Sequence, residues 1–159
     1  IRLINEKPPE ELVESVGPLL DLNGLVRYVA IQNFLSEIDG FAGRWGTNNF
    51  YLYRPAAGTQ HVLIPWDDDL SFIDTDYGVT SYQDANLLVR KLMEIPGYRA
   101  LYITTLQQAA QDIVTRADGD ARRFLQFSTE MFRSLRYVDG RKTIVLFSEG
   151  FFADRIASE

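Results

Sequence analysis

The 159-residue sequence is 46% hydrophobic and has no cysteine, so it can form one compact core but neither a disulfide nor a thiolate metal site. Its formal net charge of -6 argues against nucleic acid as a partner, because proteins that bind the phosphate backbone concentrate excess lysine and arginine on one face. No apolar run approaches the roughly 18 residues of a spanning helix, which predicts no membrane span.

Two helices are predicted before the first candidate functional residue. The Pro-Pro-Glu-Glu run at residues 8–11 favours a helix start, because proline suits the first turn and acids complement the positive end of the helix dipole. This helix should reach about Leu20. A second helix should begin at Asp21 or Asn23, either of which can be its N-cap, and end at Asp39-Gly40. Its apolar residues recur at steps of three and four: Val26, Val29, Ala30, Phe34 and Ile38.

A β-hairpin is predicted next. Residues 40–48 are rich in glycine and asparagine and should form a loop. The runs 49–54 and 61–65 are aromatic or β-branched and flank a turn-prone Pro-Ala-Ala-Gly stretch, which is typical of two strands joined by a longer turn. If the chain turns around residues 56–58, the numbers of cross-strand partners sum to about 115.

The open end of this hairpin should gather polar side chains. The pairing sum places Asn49 opposite Trp66 and Asn48 opposite Asp67. Asp39 is joined to the same end by only nine residues, so its side chain can approach that point. Two carboxylates and a carboxamide should therefore converge there.

The remaining predicted elements are helices and one late strand. Asp84 can cap a helix that is broken at Pro96-Gly97. Two further helices are predicted over about 97–115 and 119–136, with a break between them, and the β-branched run 143–147 predicts a short buried strand. The predicted fold class is therefore α+β, mostly helical with one functional hairpin.

Oxygen-bearing side chains at the hairpin end suit a magnesium ion. Hard divalent cations take oxygen ligands, with phosphates and water completing the shell, and Asn49 with Asp67 could provide such ligands. Asp39 could then orient an attacking hydroxyl. Kinase-type phosphoryl transfer uses these parts in the same order along the chain: a catalytic-loop Asp, a metal-binding Asn, and a metal-binding Asp after a hairpin. Such transfer depends on positioning and charge neutralisation.

Two segments resemble a known family. The runs EIDGFAGRWGTNNFYLYR and HVLIPWDDDLSF are similar to the CotH kinases, whose members show an Asp-bearing loop, an Asn-aromatic-aromatic-Leu-Tyr strand and an Ile-Pro-Trp-Asp-x-Asp-Leu-x-Phe turn. The similarity is strong over residues 21–75. It is looser from 84 to about 115, where LLVRKLMEIPGYRALYITTL resembles the helical segment that follows in that family.

The resemblance implies a kinase-like C-terminal lobe over residues 1–116. By matching positions, Asp39 is the catalytic acid, Asn49 and Asp67 bind the metal and nucleotide, and Asp69 is a second acid in the turn. The implied cofactors are ATP with Mg²⁺ or Mn²⁺, and the implied partner is a protein with a Ser or Thr acceptor. The family phosphorylates serine on spore-coat proteins of some bacteria, and related domains occur on secreted or cell-surface proteins.

The sequence departs from that family at both ends. Neither a glycine-rich loop nor a strand lysine precedes Asp39, since the only upstream lysine, Lys7, lies beside two prolines. With Ile1 in place of an initiator methionine, we expect a piece of a longer chain that transfers phosphate poorly by itself.

Residues 117–159 are predicted to be a separate tail of a helix and a strand. There, DGRKTIVLFSEGFF resembles an internal strand of von Willebrand A-like domains, without their Asp-x-Ser-x-Ser motif.

Structural explanations remain open for several of these residues. The acids at 67–69 could form a solvated turn, and Asp39 could merely end its helix. Arg44 could contact a phosphate or be a solvated loop residue. Strand alternation puts only one of Asn48 and Asn49 on the metal side; family matching favours Asn49, whereas the pairing sum favours Asn48.

A second function remains open as well. A non-catalytic surface module for adhesion or scaffolding could use the same acids to bind a structural Ca²⁺. A site with several histidines is excluded, because His61 is the only histidine, and we expect it to be an ordinary strand residue. A nucleotide-anchoring lysine upstream in the parent gene would favour the kinase, whereas its absence from the full chain would favour the binding module.

Overall fold

A computed structural model of the chain describes residues 1–74 and 76–135. The chain divides into two compact units, Ile1–Ala109 and Ala110–Glu159. The first unit contains every residue of the predicted site. The strand predicted at 143–147 lies outside the described residues.

The described part of the chain contains five helices and one antiparallel pair of strands, so the predicted α+β class is confirmed. The pair forms a two-stranded sheet. In chain order the elements are α1 (Arg2–Glu6), α2 (Pro9–Val16), α3 (Leu22–Phe34), β1 (Phe50–Tyr53), β2 (Val62–Pro65), α4 (Leu87–Glu94) and α5 (Pro96–Leu135).

Helix α3 begins where predicted and ends early. The side chain of Asp21 caps it by accepting a hydrogen bond of 2.9 Å from the backbone N–H of Gly24. The predicted end at Asp39-Gly40 is wrong, because the helix stops at Phe34. Ser36 adopts a left-handed backbone with φ 56°, a conformation that terminates α-helices. The chain therefore leaves the helix axis before it reaches Asp39.

The hydrophobic core of the first unit fixes the loop that follows α3. Phe41 and Ala42 of that loop are buried together with residues of four helices. Their burial holds the chain down immediately after Asp39. The buried helical members of the cluster are Leu12, Val16, Leu22, Leu25, Val26, Val29, Ala30, Leu88, Val89, Leu92, Met93 and Tyr102.

Helix α4 has a different cap from the one predicted. The Oδ1 atom of Asn86, rather than Asp84, accepts hydrogen bonds of 3.1 and 3.2 Å from the backbone N–H groups of Leu88 and Val89. Both residue types are good caps, so local sequence does not separate them. The helix ends before Pro96, as predicted, and Pro96 starts α5.

Helix α5 is continuous, so the break predicted between residues 115 and 119 is wrong. One glycine within a helix costs only about 1 kcal/mol relative to alanine, which flanking helix formers can offset. An ion pair between Arg122 and Asp118, 2.8 Å apart, supports the same stretch. In the two described segments of the chain, no helix has both the length and the apolar character that crossing a membrane requires.

Candidate functional site

The hairpin returns to its starting point in the predicted register. In every cross-strand pair, from Phe50 with Pro65 to Tyr53 with Val62, the residue numbers sum to 115. One step further, the backbone N–H of Trp66 donates to the carbonyl oxygen of Asn49 over 3.1 Å. These two residues therefore lie opposite each other at the open end.

Asp39 is held at this open end by two carboxamides. The Nδ2 atom of Asn48 donates to Asp39 Oδ1 over 2.8 Å, and Nδ2 of Asn49 donates to Asp39 Oδ2 over 3.0 Å. Asn49 Nδ2 also lies 3.4 Å from the backbone oxygen of Asp67. One amide thus contacts the carboxylate of Asp39 and the backbone of Asp67, the second residue after β2. The approach of the Asp67 carboxylate to the same point stays a prediction.

The orientation of Asn49 leaves its oxygen for another partner. Its nitrogen contacts Asp39 and Asp67, while no donor within residues 1–74 and 76–135 is bonded to its Oδ1 atom. An amide oxygen is a suitable ligand for a hard cation. Asn48 contacts Asp39 but not the Asp67 turn, so the geometry favours Asn49 as the central amide.

Asn49 and Asp67 both have left-handed backbones, with φ 53° and 55°. Asparagine and aspartate accept this conformation more readily than most residues. Asn49 directly precedes β1, and Asp67 is the second residue after β2. Such local strain is frequently found at functional sites.

The three acids of the turn differ in their surroundings. Asp67 and Asp69 are exposed, whereas the Oδ1 atom of Asp68 accepts a hydrogen bond of 3.1 Å from Gln32 Nε2. Asp68 therefore ties the turn to α3. Asp67 and Asp69 stay predicted metal ligands.

The predicted ligands, Asn49 with Asp67 and Asp69, would suit magnesium better than calcium. Within the described residues, no three His, Cys, Asp or Glu side chains are grouped so that they could hold a metal. Mg²⁺ commonly uses one or two protein ligands together with phosphate and water oxygens, whereas Ca²⁺ takes six to eight oxygens. An amide oxygen with one or two carboxylates, in the presence of a nucleotide, satisfies the first pattern.

Gln32 is a buried amide that joins the loop to the acidic turn and reaches the hairpin through Tyr28. Its Oε1 atom accepts from the backbone N–H of Phe41 over 2.9 Å, and its Nε2 atom donates to Tyr28 over 2.7 Å and to Asp68 over 3.1 Å. The hydroxyl of Tyr28 in turn donates to the carbonyl oxygen of Asn49 over 3.3 Å. Helix α3 therefore positions the loop, the hairpin and the acidic turn through two bonded side chains, Gln32 and Tyr28.

Gly40 has no Cβ, and the side chain of Gln32 occupies the space that a Cβ at this position would need. A Cβ at this position would lie 2.5 Å from Gln32 Nε2. We expect Gly40→Ala to lower the free energy of unfolding by about 1–3 kcal/mol, because overpacking displaces Gln32, as measured by urea denaturation. Gly97→Ala is the matched control, since its Cβ would meet nothing within 4 Å. Equal stability of the two variants would contradict this account.

Glu37 is a second buried polar residue that the sequence did not reveal. It is only 1% exposed. Its Oε1 atom accepts from the backbone N–H of Asp39 over 3.0 Å, and its Oε2 atom accepts from the hydroxyl of Ser71 over 2.9 Å. Acids are almost never fully buried without partners, and here the partners belong to the loop of Asp39 and to the turn after Asp67.

Arg44 is engaged with protein partners. Its guanidinium forms an ion pair with Asp74 and donates from Nε to the hydroxyl of Tyr82 over 2.7 Å. The hydrogen bond to Tyr82 and then that to Asp74 raise the pKa of Arg44. A phosphate would have to replace these partners, and the phosphate contact of Arg44 stays a prediction.

The aromatic residues beside the acids pack across the strands. The rings of Tyr51 and Trp66 meet edge to face, with centroids 5.3 Å apart, as expected for cross-strand packing. Both rings remain more than half exposed. His61 is a partly exposed residue whose backbone pairs with Leu19 and Asp21.

Two tyrosines near α3 have raised pKa values. Burial, and then the negative charges of Asp68 and Glu37, raise the pKa of Tyr28 well above its usual range. Burial, with smaller contributions from two neighbouring tyrosines, raises the pKa of Tyr77 to about 12. The folded state therefore holds these protons more tightly than the unfolded state does.

This difference predicts a loss of stability in alkali. The contribution of each tyrosine is fully present below its unfolded pKa of about 10 and is lost as the pH rises through its folded pKa. We expect the free energy of unfolding, from urea titrations, to fall between about pH 10 and 12, the interval between the unfolded pKa of tyrosine and the folded pKa of Tyr77. Tyr77→Phe should flatten this decline. An unchanged slope in Tyr77→Phe would contradict the assignment.

Comparison with known proteins identifies the family of the chain. The sequence model of the family described as CotH kinase protein matches residues 1–119. No curated protein and no solved structure gives a significant match to the chain. The matched region covers most of the sequence and includes the loop, the hairpin and the acidic turn. The chain therefore belongs to the CotH kinase family.

Proposed function

We propose that this chain carries the magnesium and nucleotide site of a protein kinase that transfers the terminal phosphate of ATP to a Ser or Thr hydroxyl of a protein. One observation carries the proposal: the carboxamide of Asn49 contacts both the carboxylate of Asp39 and the backbone of Asp67 at the open end of the hairpin. In kinase-type transfer, a catalytic acid and two metal ligands occupy these relative positions along the chain.

In this proposal, the cation is held by protein and nucleotide together. Oδ1 of Asn49 and the carboxylate of Asp67 would be the protein ligands of Mg²⁺ or Mn²⁺, with Asp69 as a further ligand. When bound, such an ion neutralises charge on the phosphates of ATP. The rigid hairpin contributes by fixing the separation between the two ligands.

Asp39 would orient the acceptor hydroxyl and take up its proton. Each of its oxygens already accepts one amide hydrogen bond, from Asn48 or Asn49, and these bonds fix the plane of the carboxylate. An ionised carboxylate has about four acceptor positions, so Asp39 can accept a further bond from the hydroxyl. The Asn49 contact also holds this acid next to the proposed metal ligands.

The proposed setting follows the family. CotH-type kinases suggest a bacterial spore coat or a secreted or cell-surface protein as the location, and a coat or surface protein as the acceptor. The calcium-binding adhesion module is less well supported, because no three acidic or histidine side chains are grouped in the described residues.

Phosphate transfer can be measured directly. The full-length gene product would be incubated with γ-labelled ATP, with and without MgCl₂, and with Ser- and Thr-containing candidate acceptors. We expect magnesium-dependent label in acid-stable phosphoserine or phosphothreonine, with ADP formed in equal amount. Stabilisation by Ca²⁺ alone, with neither nucleotide binding nor label transfer, would overturn the proposal in favour of the adhesion module.

A further inference from the structure

Glu37 is a buried carboxylate that the proposed chemistry does not use. No Lys or Arg in the described part of the chain forms an ion pair with it. Burying a charge is costly unless hydrogen bonds compensate, and an apolar side chain would fill the same space at less cost. This cost suggests that Glu37 serves a purpose other than stability.

The two partners of Glu37 belong to the two halves of the site. Oε1 accepts from the backbone N–H of Asp39, and Oε2 accepts from the hydroxyl of Ser71. Ser71 Oγ also lies 3.0 Å from the backbone oxygen of Asp68, so it is anchored to the acidic turn. One carboxylate therefore spans from the proposed catalytic acid to the segment that carries the proposed metal ligands.

We propose that Glu37 is a positioning residue that sets the distance between Asp39 and Asp67 through its bridge to Ser71. The inference rests on the proposed phosphate transfer. In such a reaction the acceptor hydroxyl, oriented by Asp39, must meet a phosphate held at Asp67, and a displacement of about 1 Å can cost roughly 100-fold in rate. Glu37 contacts neither reactant and acts through the backbone of Asp39.

The bridge can be kept without the charge. In Glu37→Gln, the carbonyl oxygen can accept from the Asp39 N–H, and the new amino group can donate to Ser71. The hydroxyl of Ser71 then has the backbone oxygen of Asp68 as its acceptor. Glu37→Met removes both contacts of Glu37 and keeps a similar side-chain volume. Ser71→Ala leaves the contact of Glu37 with Asp39 in place, and it removes the contact of Glu37 with the turn together with the contact between Ser71 and the Asp68 oxygen.

The test uses the full-length gene product and compares kcat, the KM for Mg-ATP and the unfolding midpoint for these variants. We expect Ser71→Ala and Glu37→Met to lower kcat about 10- to 100-fold, as loss of supporting contacts commonly does, with KM within about threefold of wild type. Glu37→Gln should retain most of the activity. Ser81→Ala is the matched control, since its contacts are made by the backbone, and it should behave as wild type.

A double variant distinguishes the loss of the Glu37–Ser71 contact from independent destabilisation by each substitution. Because both changes break one link, Glu37→Met with Ser71→Ala should be no slower than Glu37→Met alone. The inference would be overturned if the fall in kcat of the double variant equalled the product of the falls in the two single variants. A Ser71→Ala enzyme with wild-type kcat, or a Glu37→Gln enzyme as slow as Glu37→Met, would overturn it too. If Glu37→Met does not fold, Ser71→Ala and Glu37→Gln decide the matter. An inactive wild-type protein would instead refute the proposed function itself.

Discussion

Replacing Asp39 by asparagine is expected to lower kcat for phosphate transfer by about 10²- to 10⁴-fold, the range typical of a lost general acid or base. The variant keeps the shape of the side chain but cannot take up a proton. It also presents an amino group to one of the two amides that now donate to the carboxylate; when that group faces Asn48, only Asn48 has to reorient and the Asn49 contact is kept. Both effects act on the orientation of the acceptor hydroxyl.

A measurement of nucleotide binding distinguishes the proposed role of Asp39 in proton uptake from a role in metal binding. Because Asp39 is not a proposed metal ligand, the affinity of Asp39→Asn for Mg-ATP should stay near that of wild type. Asn48→Ala is the control, since it removes one hydrogen bond to Asp39 and leaves the carboxylate; its kcat should fall less than about tenfold. An Asp39→Asn enzyme within tenfold of wild-type kcat would contradict the assignment.

Replacing Leu92 by alanine is expected to lower the free energy of unfolding by about 2–5 kcal/mol. Leu92 is 0% exposed and lies in the cluster that also buries Phe41 and Ala42 of the Asp39 loop. Removing its side chain leaves a cavity that the surrounding helices cannot fully close. Against a typical total stability of about 5–15 kcal/mol, the loss would populate unfolded molecules and free the loop.

The measurement is urea denaturation of Leu92→Ala beside Leu19→Ala. Leu19 is 51% exposed, so the same truncation there should change the stability by no more than about 0.5 kcal/mol. A Leu92→Ala protein as stable as Leu19→Ala would show that the core does not depend on α4.

The hairpin and its polar end were predictable because they depend on local patterns. Two short runs rich in aromatic or β-branched residues on either side of one turn predict a register, and the register alone places Asn49 opposite Trp66. The short linker from Asp39 then restricts where that side chain can lie. The resemblance of the same stretch to the CotH kinases agrees with the family match.

The supporting residues were not predictable, because their partners are distant in sequence. Gln32 and Glu37 are polar residues in or just after a helix, and nothing nearby reveals that Asp68 and Ser71 will satisfy them. The early end of α3 depends on the backbone of Ser36, which no strong breaker residue marks. Conversely, Gly119 suggested a break, although its cost of about 1 kcal/mol is too small to end a helix.

The most direct test of the account is magnesium-dependent ATP binding by wild type and Asp67→Ala, measured by calorimetry on the full-length gene product. Asp84→Ala removes an equal charge at an exposed position outside the cluster and is the control. We predict that wild type and Asp84→Ala bind ATP more tightly with Mg²⁺ than without it, and that Asp67→Ala loses at least about tenfold of that affinity. Equal magnesium-dependent affinity in Asp67→Ala and wild type would contradict the proposed site.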